Sequence, residues 1–351
     1  MDVAGLVPGA SEGRGLGNKF LDDLRLADVL IHVVDASGTT DDNGRETKGY
    51  DPINDIQWLR SEIEAWIFGN LERKWSSIIR RHIALKTVSS VDTLHGQLAG
   101  YGTTKDIVQK AMDFSLKSGS INADVDKWNM EELRGFVKIF LDQRFPTIVA
   151  LNKIDMPDAD KNISAIVRRY QKPNSLNTSL RDGVSGDNII LTSALSECFL
   201  RKISKQGYIR YQSGDDDFYT KSDKPNEDLR ELDEKISRRL DNIRDLVLFR
   251  YGSTGVQEVI IRAVEVIGFI PVFPVKSLTT FGASMDNSSV AFQDCVLVKP
   301  GTTVREFARK LHNQLNLNYV GAETIGNIQL AEDDVIIPGK NNIIKISTST
   351  T

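Results

Sequence analysis

Cysteine and histidine are scarce in this sequence, which has two cysteines and four histidines among its 351 residues. Cys198 and Cys295 lie far apart, and neither they nor the histidines follow a metal-ligand spacing. This scarcity excludes the usual cysteine and histidine zinc motifs. Two widely separated cysteines also argue against a disulfide-bonded scaffold, and they favour a reducing, cytoplasmic compartment.

Long hydrophobic runs and a strong charge of either sign are also missing. The longest apolar candidate, residues 259–275, is interrupted by Arg262, Glu265 and Pro271, so we expect no segment of it to cross a membrane. The formal net charge is -4. That balance excludes a nucleic-acid grip spread over the whole surface, although it leaves room for a local basic patch.

The phosphate-binding pattern G-x-x-x-x-G-K-[ST] is absent as well. The glycine-rich run from Gly9 to Gly17 continues with Asn18 and Lys19, and we interpret it as a mobile loop rather than as a displaced phosphate cradle. In loops of the missing pattern, backbone N–H groups and the lysine neutralise the β and γ phosphates. We therefore expect weak or no nucleotide binding by the chain as written.

Three short apolar runs predict β-strands at residues 29–35, 147–152 and 188–193. Each run is almost continuously apolar and ends in small or polar residues, which is typical of a parallel strand buried on both faces. These runs predict an α/β fold with a doubly wound sheet. In such sheets the carboxyl ends of the strands form the ligand crevice.

Helical periodicity fills the long connection between the first two strands. This connection is several times longer than an ordinary crossover helix, so we interpret it as an inserted helical subdomain. Its last helix is predicted over residues 130–143, after the capping pattern Asn129-x-x-Glu132. Another helix is predicted over residues 227–249. A small α+β module of about 75 residues is predicted from residue 271 onward, and it includes a helix over residues 304–315 that follows the capping pattern Thr303-x-x-Glu306.

The sequence Asn152-Lys153-Ile154-Asp155 directly follows the second strand and carries the clearest chemistry. A carboxylate at Asp155 can accept hydrogen bonds from the N1–H and the exocyclic amine of guanine, whereas adenine offers no such pair of donors. The stem of Lys153 can lie along a flat base, and Asn152 can join neighbouring loops. Taken alone, this short pattern fits an ordinary polar turn about equally well.

Two weaker patterns lie in the order that the same chemistry requires. Thr192-Ser193-Ala194 ends the third strand, where backbone N–H groups can approach the base oxygen. In Asp2-x-x-Gly5, Asp2 can hold a water on Mg²⁺, and Gly5 can offer its N–H to a γ-phosphate because it has no side chain. Each pattern is weak by itself, and their order along the chain gives them weight.

The stretch DVAGLVPGASEGRGLGNKFLDDLRLADVLIHVVDAS, residues 2–37, resembles the switch II region of Obg-related GTPases, specifically the Obg-like ATPase or YchF-type branch. The stretch VLVKPGTTVREFARKLHNQL, residues 296–315, resembles a TGS module. The resemblance covers essentially the whole chain. It implies a partial P-loop-type G domain at residues 1–50, a helical insertion at 51–145, the rest of the G domain with a helical extension at 146–270, and a TGS domain at 271–351. In the family, the first strand, the phosphate loop and switch I would precede Asp2, so we expect the N-terminal portion to be missing and an edge of the sheet to be exposed.

The resemblance also implies a GTP-binding protein whose intact form hydrolyses GTP with Mg²⁺ and has ribosome or translation partners. Many members carry an altered N-K-x-D, which the resemblance links to ATP preference. Asn152, Lys153 and Asp155 are intact here, as in the archaeal and fungal side group, so GTP is expected rather than ATP. Leu6 stands where many GTPases place a glutamine, and leucine cannot orient water by hydrogen bonding. Slow intrinsic turnover, or catalysis supplied by another group, is therefore expected.

An alternative is an RNA-binding or ribosome-binding module in a fragment that is unable to hydrolyse nucleotide. Basic residues of the TGS-like segment could form its contacts with RNA: Lys299, Arg305, Arg309 and Lys310. A solvated helix face explains the same residues, so the sequence leaves both interpretations open.

Overall fold

The computed structural model describes residues 23–41, 44–170, 184–282, 291–311 and 319–348. The chain divides into two compact units, Met1–Ala263 and Val264–Thr351. The strands and loops that carry the N-K-x-D and T-S-A sequences lie in the first unit, and the TGS-like segment lies in the second.

The sheet of the first unit has three parallel strands in the order β1-β2-β3. They are β1 (Leu30–Asp35), β2 (Thr147–Asn152) and β3 (Ile189–Leu191). The central strand has four successive buried residues, as expected for a strand covered on both faces. Asp35 pairs with Asn152, and Leu151 pairs with Leu191, so the strands end side by side. The α/β fold with a parallel sheet that was predicted from the sequence is confirmed.

Strand β1 lies at the edge of this sheet. Within the described ranges it pairs with β2 alone. Its residues Ile31 and Val33 are 47% and 62% exposed. Apolar side chains are therefore exposed on this edge strand.

Helices α1–α5 fill the connection between β1 and β2 and enclose a hydrophobic core of their own. They are α1 (Ile53–Glu72), α2 (Trp75–Ala84), α3 (Ser90–Leu98), α4 (Lys105–Lys117) and α5 (Met130–Arg144). The capping box predicted before α5 is confirmed. Asn129 Oδ1 accepts from the Glu132 backbone N–H at 2.9 Å, and the Glu132 carboxylate accepts from the Asn129 N–H at 2.9 Å.

Most of the elements after β2 pack with the sheet in a second core. They are α6 (Ala159–Tyr170), α7 (Ala194–Lys205), the hairpin of β4 (Ile209–Arg210) and β5 (Tyr219–Thr220), and α8 (Glu234–Ile243). Helix α9 (Val256–Ile267) follows these elements in the chain. A π-helical turn, Arg244–Leu248, directly continues α8 and leads into a last turn, Phe249–Tyr251. Because π-helical turns are rare and often lie at functional sites, this one is of interest.

The helix predicted over residues 227–249 is wrong at its start. Helix α8 begins at Glu234 because Asp233 caps it and accepts the Ile236 backbone N–H at 2.7 Å. Before the cap, the backbone N–H of Arg230 donates to the Gly207 carbonyl at 2.8 Å. This tertiary bond holds the preceding segment out of the helix, and the periodicity of apolar residues does not report it.

The second unit contains a five-stranded sheet in the order β7-β6-β10-β8-β9, together with helix α10 (Val304–Leu311). The strands are β6 (Ile270–Pro274), β7 (Val296–Val298), β8 (Tyr319–Thr324), β9 (Ile328–Leu330) and β10 (Ile343–Thr348). The capping box predicted for α10 is confirmed, because Thr303 Oγ1 accepts from the Glu306 N–H at 3.3 Å and Glu306 accepts from the Thr303 N–H at 3.0 Å. The predicted continuation of this helix to Leu315 lies outside the described residues.

Membrane-spanning helices are absent from the part of the chain that the structure describes. None of its helices combines the length and the apolar character that crossing a bilayer requires.

Candidate functional site

Asn152 joins the loops that follow the three strands of the first unit. Its Oδ1 accepts a hydrogen bond from the Ala194 backbone N–H at 3.0 Å. Its backbone carbonyl accepts another from the Ala36 N–H at 2.9 Å. The N-K-x-D and T-S-A sequences therefore meet at one edge of the sheet, as parallel strands that end together require.

Lys153 turns the chain away from β2 in a left-handed backbone conformation, with φ at 66°. A residue with a side chain is strained there by about 1–2 kcal/mol, so other contacts must hold it. Its Nζ donates to Asp35 Oδ2 at 2.6 Å and lies 3.5 Å from Thr39 Oγ1. The Lys153 side chain is still 40% exposed, which leaves part of its stem open to a ligand.

Asp35 belongs to none of the sequence patterns described above. In the structure its carboxylate accepts the hydrogen bond that holds Lys153. Its carboxylate also accepts from the hydroxyls of Ser37 at 2.5 Å, Thr39 at 3.0 Å and Thr40 at 2.7 Å. Burial alone would raise the pKa of Asp35, but the hydrogen bonds from Lys153 and these hydroxyls outweigh it and hold the pKa well below its usual range. The sequence signal that could have identified Asp35 is the run of polar residues that directly follows the apolar part of β1.

Asp155 is held by Ser193 across the two loops. The Ser193 Oγ donates to Asp155 Oδ1 at 2.7 Å. Ser193 is fully buried and also caps α7, because its Oγ accepts from the Ser196 backbone N–H at 3.3 Å. Asp155 Oδ2 has no hydrogen-bond partner among the described residues. One oxygen is therefore fixed, while the other retains its capacity to accept.

The backbone N–H groups expected to approach a base oxygen have protein partners instead. The Ser193 N–H donates to the Thr254 carbonyl at 2.9 Å, and the Ala194 N–H donates to Asn152. Both groups therefore position the loop in this structure. The residues that were predicted at this edge do come together, and two of their donors are already used.

An open cleft of about 460 Å³ lies beside Asp155. Leu195 and Leu246 stand in its wall and are 64% and 50% exposed. Its other lining residues are Ser196, Arg239, Asn242, Ile243 and Val247. Apolar side chains on a wall that also carries a carboxylate can flank a flat ring while the carboxylate reads its polar edge. No sequence pattern pointed to Leu246, which reaches the cleft from the π-helical turn after α8.

Three predicted residues, Asp2, Gly5 and Leu6, lie outside the described residues. Their predicted contacts with Mg²⁺, the γ-phosphate and the attacking water therefore stay predictions. Among the described residues, no three His, Cys, Asp or Glu side chains come together in a way that could hold a metal ion.

Comparison with known proteins identifies relatives along nearly the whole chain. An uncharacterized GTP-binding protein of Schizosaccharomyces pombe is 46% identical over 344 residues, which cover 98% of this chain and 78% of that protein. An uncharacterized GTP-binding protein of Methanocaldococcus jannaschii is 37% identical over 349 residues, covering 99% of this chain and 79% of that protein. Residues 150–277 match the family described as "Obg-like GTPase YGR210-like, G4 motif-containing domain".

This chain belongs to the Obg-like, YchF-type family. The ribosome-binding ATPase YchF of Bacillus subtilis, a relative in this family, is 49% identical over 63 residues, which are 18% of this chain and 17% of that protein. The crystal structure of a GTP binding protein from Pyrococcus horikoshii OT3 matches 94% of this chain and 81% of that chain with a TM-score of 0.62 and 31% identity. The family predicted from the sequence is confirmed, and an Obg-like fold accounts for the parallel sheet.

Proposed function

We propose that this Obg-like chain binds a guanine nucleotide and that Asp155 reads the base. The observation that carries the proposal is the 2.7 Å hydrogen bond from Ser193 to Asp155 Oδ1, which orients the carboxylate while Oδ2 retains its capacity to accept. The N1–H and the exocyclic amine of guanine can both donate to such a carboxylate, whereas adenine would leave it unpaired. The names of the fungal and archaeal relatives, both GTP-binding proteins, support the same ligand.

The neighbouring side chains suit the faces of a base. The exposed part of the Lys153 stem can lie against one face, because Asp35 holds its ammonium group. Leu195 and Leu246 offer apolar surface within the cleft that Asp155 lines. In this proposal, Asn152 joins the loops through its Oδ1 and also contacts the nucleotide, together with Lys153 and Asp155.

Hydrolysis of GTP and binding of Mg²⁺ are further proposals. They are supported by the family description, which names a GTPase. Asp2 would hold Mg²⁺ through a water, and the metal would neutralise phosphate charge. Because Asp2 and Gly5 lie outside the described residues, no catalytic step is assigned to side chains of this chain.

Substitution of Asp155 tests directly whether this residue selects the base. In titrations of the full chain with GDP, XDP and ADP, we expect weak binding, because the chain as written contains no phosphate-loop pattern. We still expect GDP to bind more tightly than ADP, because Asp155 reads the base. Asp155→Asn should weaken GDP binding by about 10–100-fold, because a charge-assisted hydrogen-bond pair is lost. The same variant should bind XDP more tightly than the wild type does, because an amide can donate to the carbonyl at position 2 of xanthine.

Asp158→Asn is the matched control, because Asp158 is an exposed aspartate three residues further along the same loop. It should leave all three affinities unchanged. Equal affinity of the wild type for GDP and ADP would overturn the proposal, since the base would then not be read. So would an Asp155→Asn variant that behaves like the Asp158→Asn control.

Contact with RNA or the ribosome through the second unit is a second proposal. It is supported by the name of the Bacillus subtilis relative, a ribosome-binding ATPase. Two of the basic residues already have partners inside the unit, because Arg305 pairs with Glu332 and Lys310 Nζ lies 3.4 Å from the Leu297 carbonyl. Salt-sensitive RNA binding by the full chain that Lys299→Glu weakens would support this proposal, and salt-independent binding would contradict it.

A further inference from the structure

A buried carboxylate, Glu197, lies one turn into α7, behind the loop that holds Asp155. Its side chain accepts three hydroxyl hydrogen bonds, from Tyr211 at 2.7 Å, Ser213 at 2.5 Å and Thr254 at 2.7 Å. Glu197 is only 3% exposed, and Thr254 is 1% exposed. Burying a charge this deeply costs folding free energy unless hydrogen-bond donors surround it, and here three hydroxyls do so.

Glu197 stays ionised at neutral pH in this environment. Burial alone would raise its pKa, but the hydrogen bonds from Ser213, Thr254 and Tyr211 outweigh burial and lower the pKa. Burial and the nearby Glu197 carboxylate in turn raise the pKa of the Tyr211 phenol, so that hydroxyl remains a donor. The three hydroxyls therefore point their hydrogens at one fixed anion.

The Thr254 hydroxyl connects this anion to the site. The backbone carbonyl of Thr254 accepts the Ser193 N–H at 2.9 Å, and the Ser193 hydroxyl donates to Asp155 at 2.7 Å. The next residue, Gly255, has φ at 73°, and a Cβ on it would lie 1.8 Å from the Leu191 carbonyl oxygen. The loop that contains Thr254 therefore lies close against the end of β3, next to Ser193, which caps α7.

We propose that Glu197 is a positioning residue that sets the orientation of the base-reading carboxylate through Thr254 and Ser193. The chain of contacts runs from the Glu197 anion to the Thr254 hydroxyl, from the Thr254 carbonyl to the Ser193 amide, and from the Ser193 hydroxyl to Asp155. This inference rests on the proposed function, since it assigns Glu197 to the selectivity of the same site. Glu197 itself touches no ligand.

The test compares two of the hydroxyls that share Glu197. Thr254→Val keeps the shape and the backbone carbonyl but removes the hydroxyl that links Glu197 to the Ser193 loop. Ser213→Ala removes a hydroxyl bond to the other oxygen of the same carboxylate, and Ser213 has no described contact with Thr254 or Ser193. We expect Thr254→Val to lower the preference for GDP over XDP by about tenfold, a hydrogen-bond-sized effect, and Ser213→Ala to leave it unchanged.

Thr254→Ser retains the hydroxyl and should restore the wild-type preference. The inference is overturned if Thr254→Val and Ser213→Ala change the preference equally, or if both lower thermal stability alone. Failure of the proposed function has a different signature, because the wild type and Asp155→Asn would then not differ in their preference. A second readout needs no nucleotide: hydrogen exchange of the Ser193 amide should be faster in Thr254→Val and unchanged in Ser213→Ala.

Discussion

At the residue scale, three carboxylates near the end of this sheet differ in how much accepting capacity they have left. Asp35 accepts from Lys153 and from three hydroxyls, and Glu197 accepts from three hydroxyls. Asp155 accepts from the Ser193 hydroxyl alone among the described residues. A carboxylate offers about four lone-pair sites, so Asp155 is the carboxylate with room for a ligand.

The sequence predicted Asp155 and its neighbours but not the residues behind them. Asn152 and Asp155 belong to a short pattern whose spacing is set by one turn after a strand, and a pattern of that kind is visible in the sequence. The roles of Asp35, Glu197 and Thr254 depend on partners that lie 14 to 118 positions away in the chain. No local periodicity reports such contacts, and each of these residues reads as an ordinary polar residue in isolation.

We expect His32 to make the stability of the first unit depend on pH. His32 lies on β1 and lines a mostly apolar cavity, together with Leu30 and Ile56. Burial lowers its pKa to about 4. In the unfolded chain the same imidazole gains its proton near pH 6.5, so between these values the folded state binds fewer protons. The free energy of unfolding is therefore expected to fall by up to about 3 kcal/mol as the pH drops from 6.5 to 4.

Urea unfolding across that pH range checks this expectation. The His32→Leu variant should show a flatter dependence on pH than the wild type, because it has no proton to gain. His82→Gln, a substitution in α2, is the control. Its free energy of unfolding should depend on pH as steeply as that of the wild type. An unchanged slope in His32→Leu would show that another group carries the pH dependence.

At the element scale, strand ends and helix caps were predictable where the signals are local. The strands were expected at residues 29–35, 147–152 and 188–193, and they lie at Leu30–Asp35, Thr147–Asn152 and Ile189–Leu191. The π-helical turn after α8 was not predicted, because such turns are rare single-turn insertions in α-helices and the periodicity of this segment was interpreted as one regular helix. That turn supplies Leu246 to the cleft, so this residue, which sequence patterns missed, comes from irregular backbone.

Gly255 lies in the loop before α9, close against the last residue of β3. Gly255→Ala would place a Cβ 1.8 Å from the Leu191 carbonyl oxygen, so the loop or the strand must move. Gly252→Ala is the matched control, because Gly252 also has a positive φ, 81°, but a Cβ added there would meet no atom within 4 Å. Chemical denaturation should find Gly255→Ala about 1–3 kcal/mol less stable than Gly252→Ala. Equal losses would show that the close approach carries no energetic weight.

At the scale of the whole molecule, the site is assembled from distant parts of the first unit. Its residues extend from Asp35 to Thr254, and helices α1–α5 with their own core lie between β1 and β2 in sequence. The shared edge of the strands could be predicted, because the carboxyl ends of parallel strands form one crevice. Of the hydrogen bonds that join the loops, the role of Asn152 could be predicted, whereas those of Asp35, Ser193 and Thr254 depend on the tertiary fold. The chain spans about four fifths of the length of its fungal and archaeal relatives.

A crystal structure of the full chain with bound GDP tests the central claim most directly. We predict Asp155 Oδ2 within about 2.7–3.2 Å of guanine N1 and of the exocyclic amine, with the Ser193 bond to Oδ1 retained. A base bound away from the ends of β1, β2 and β3, or an Asp155 carboxylate that makes no contact with it, would contradict this assignment.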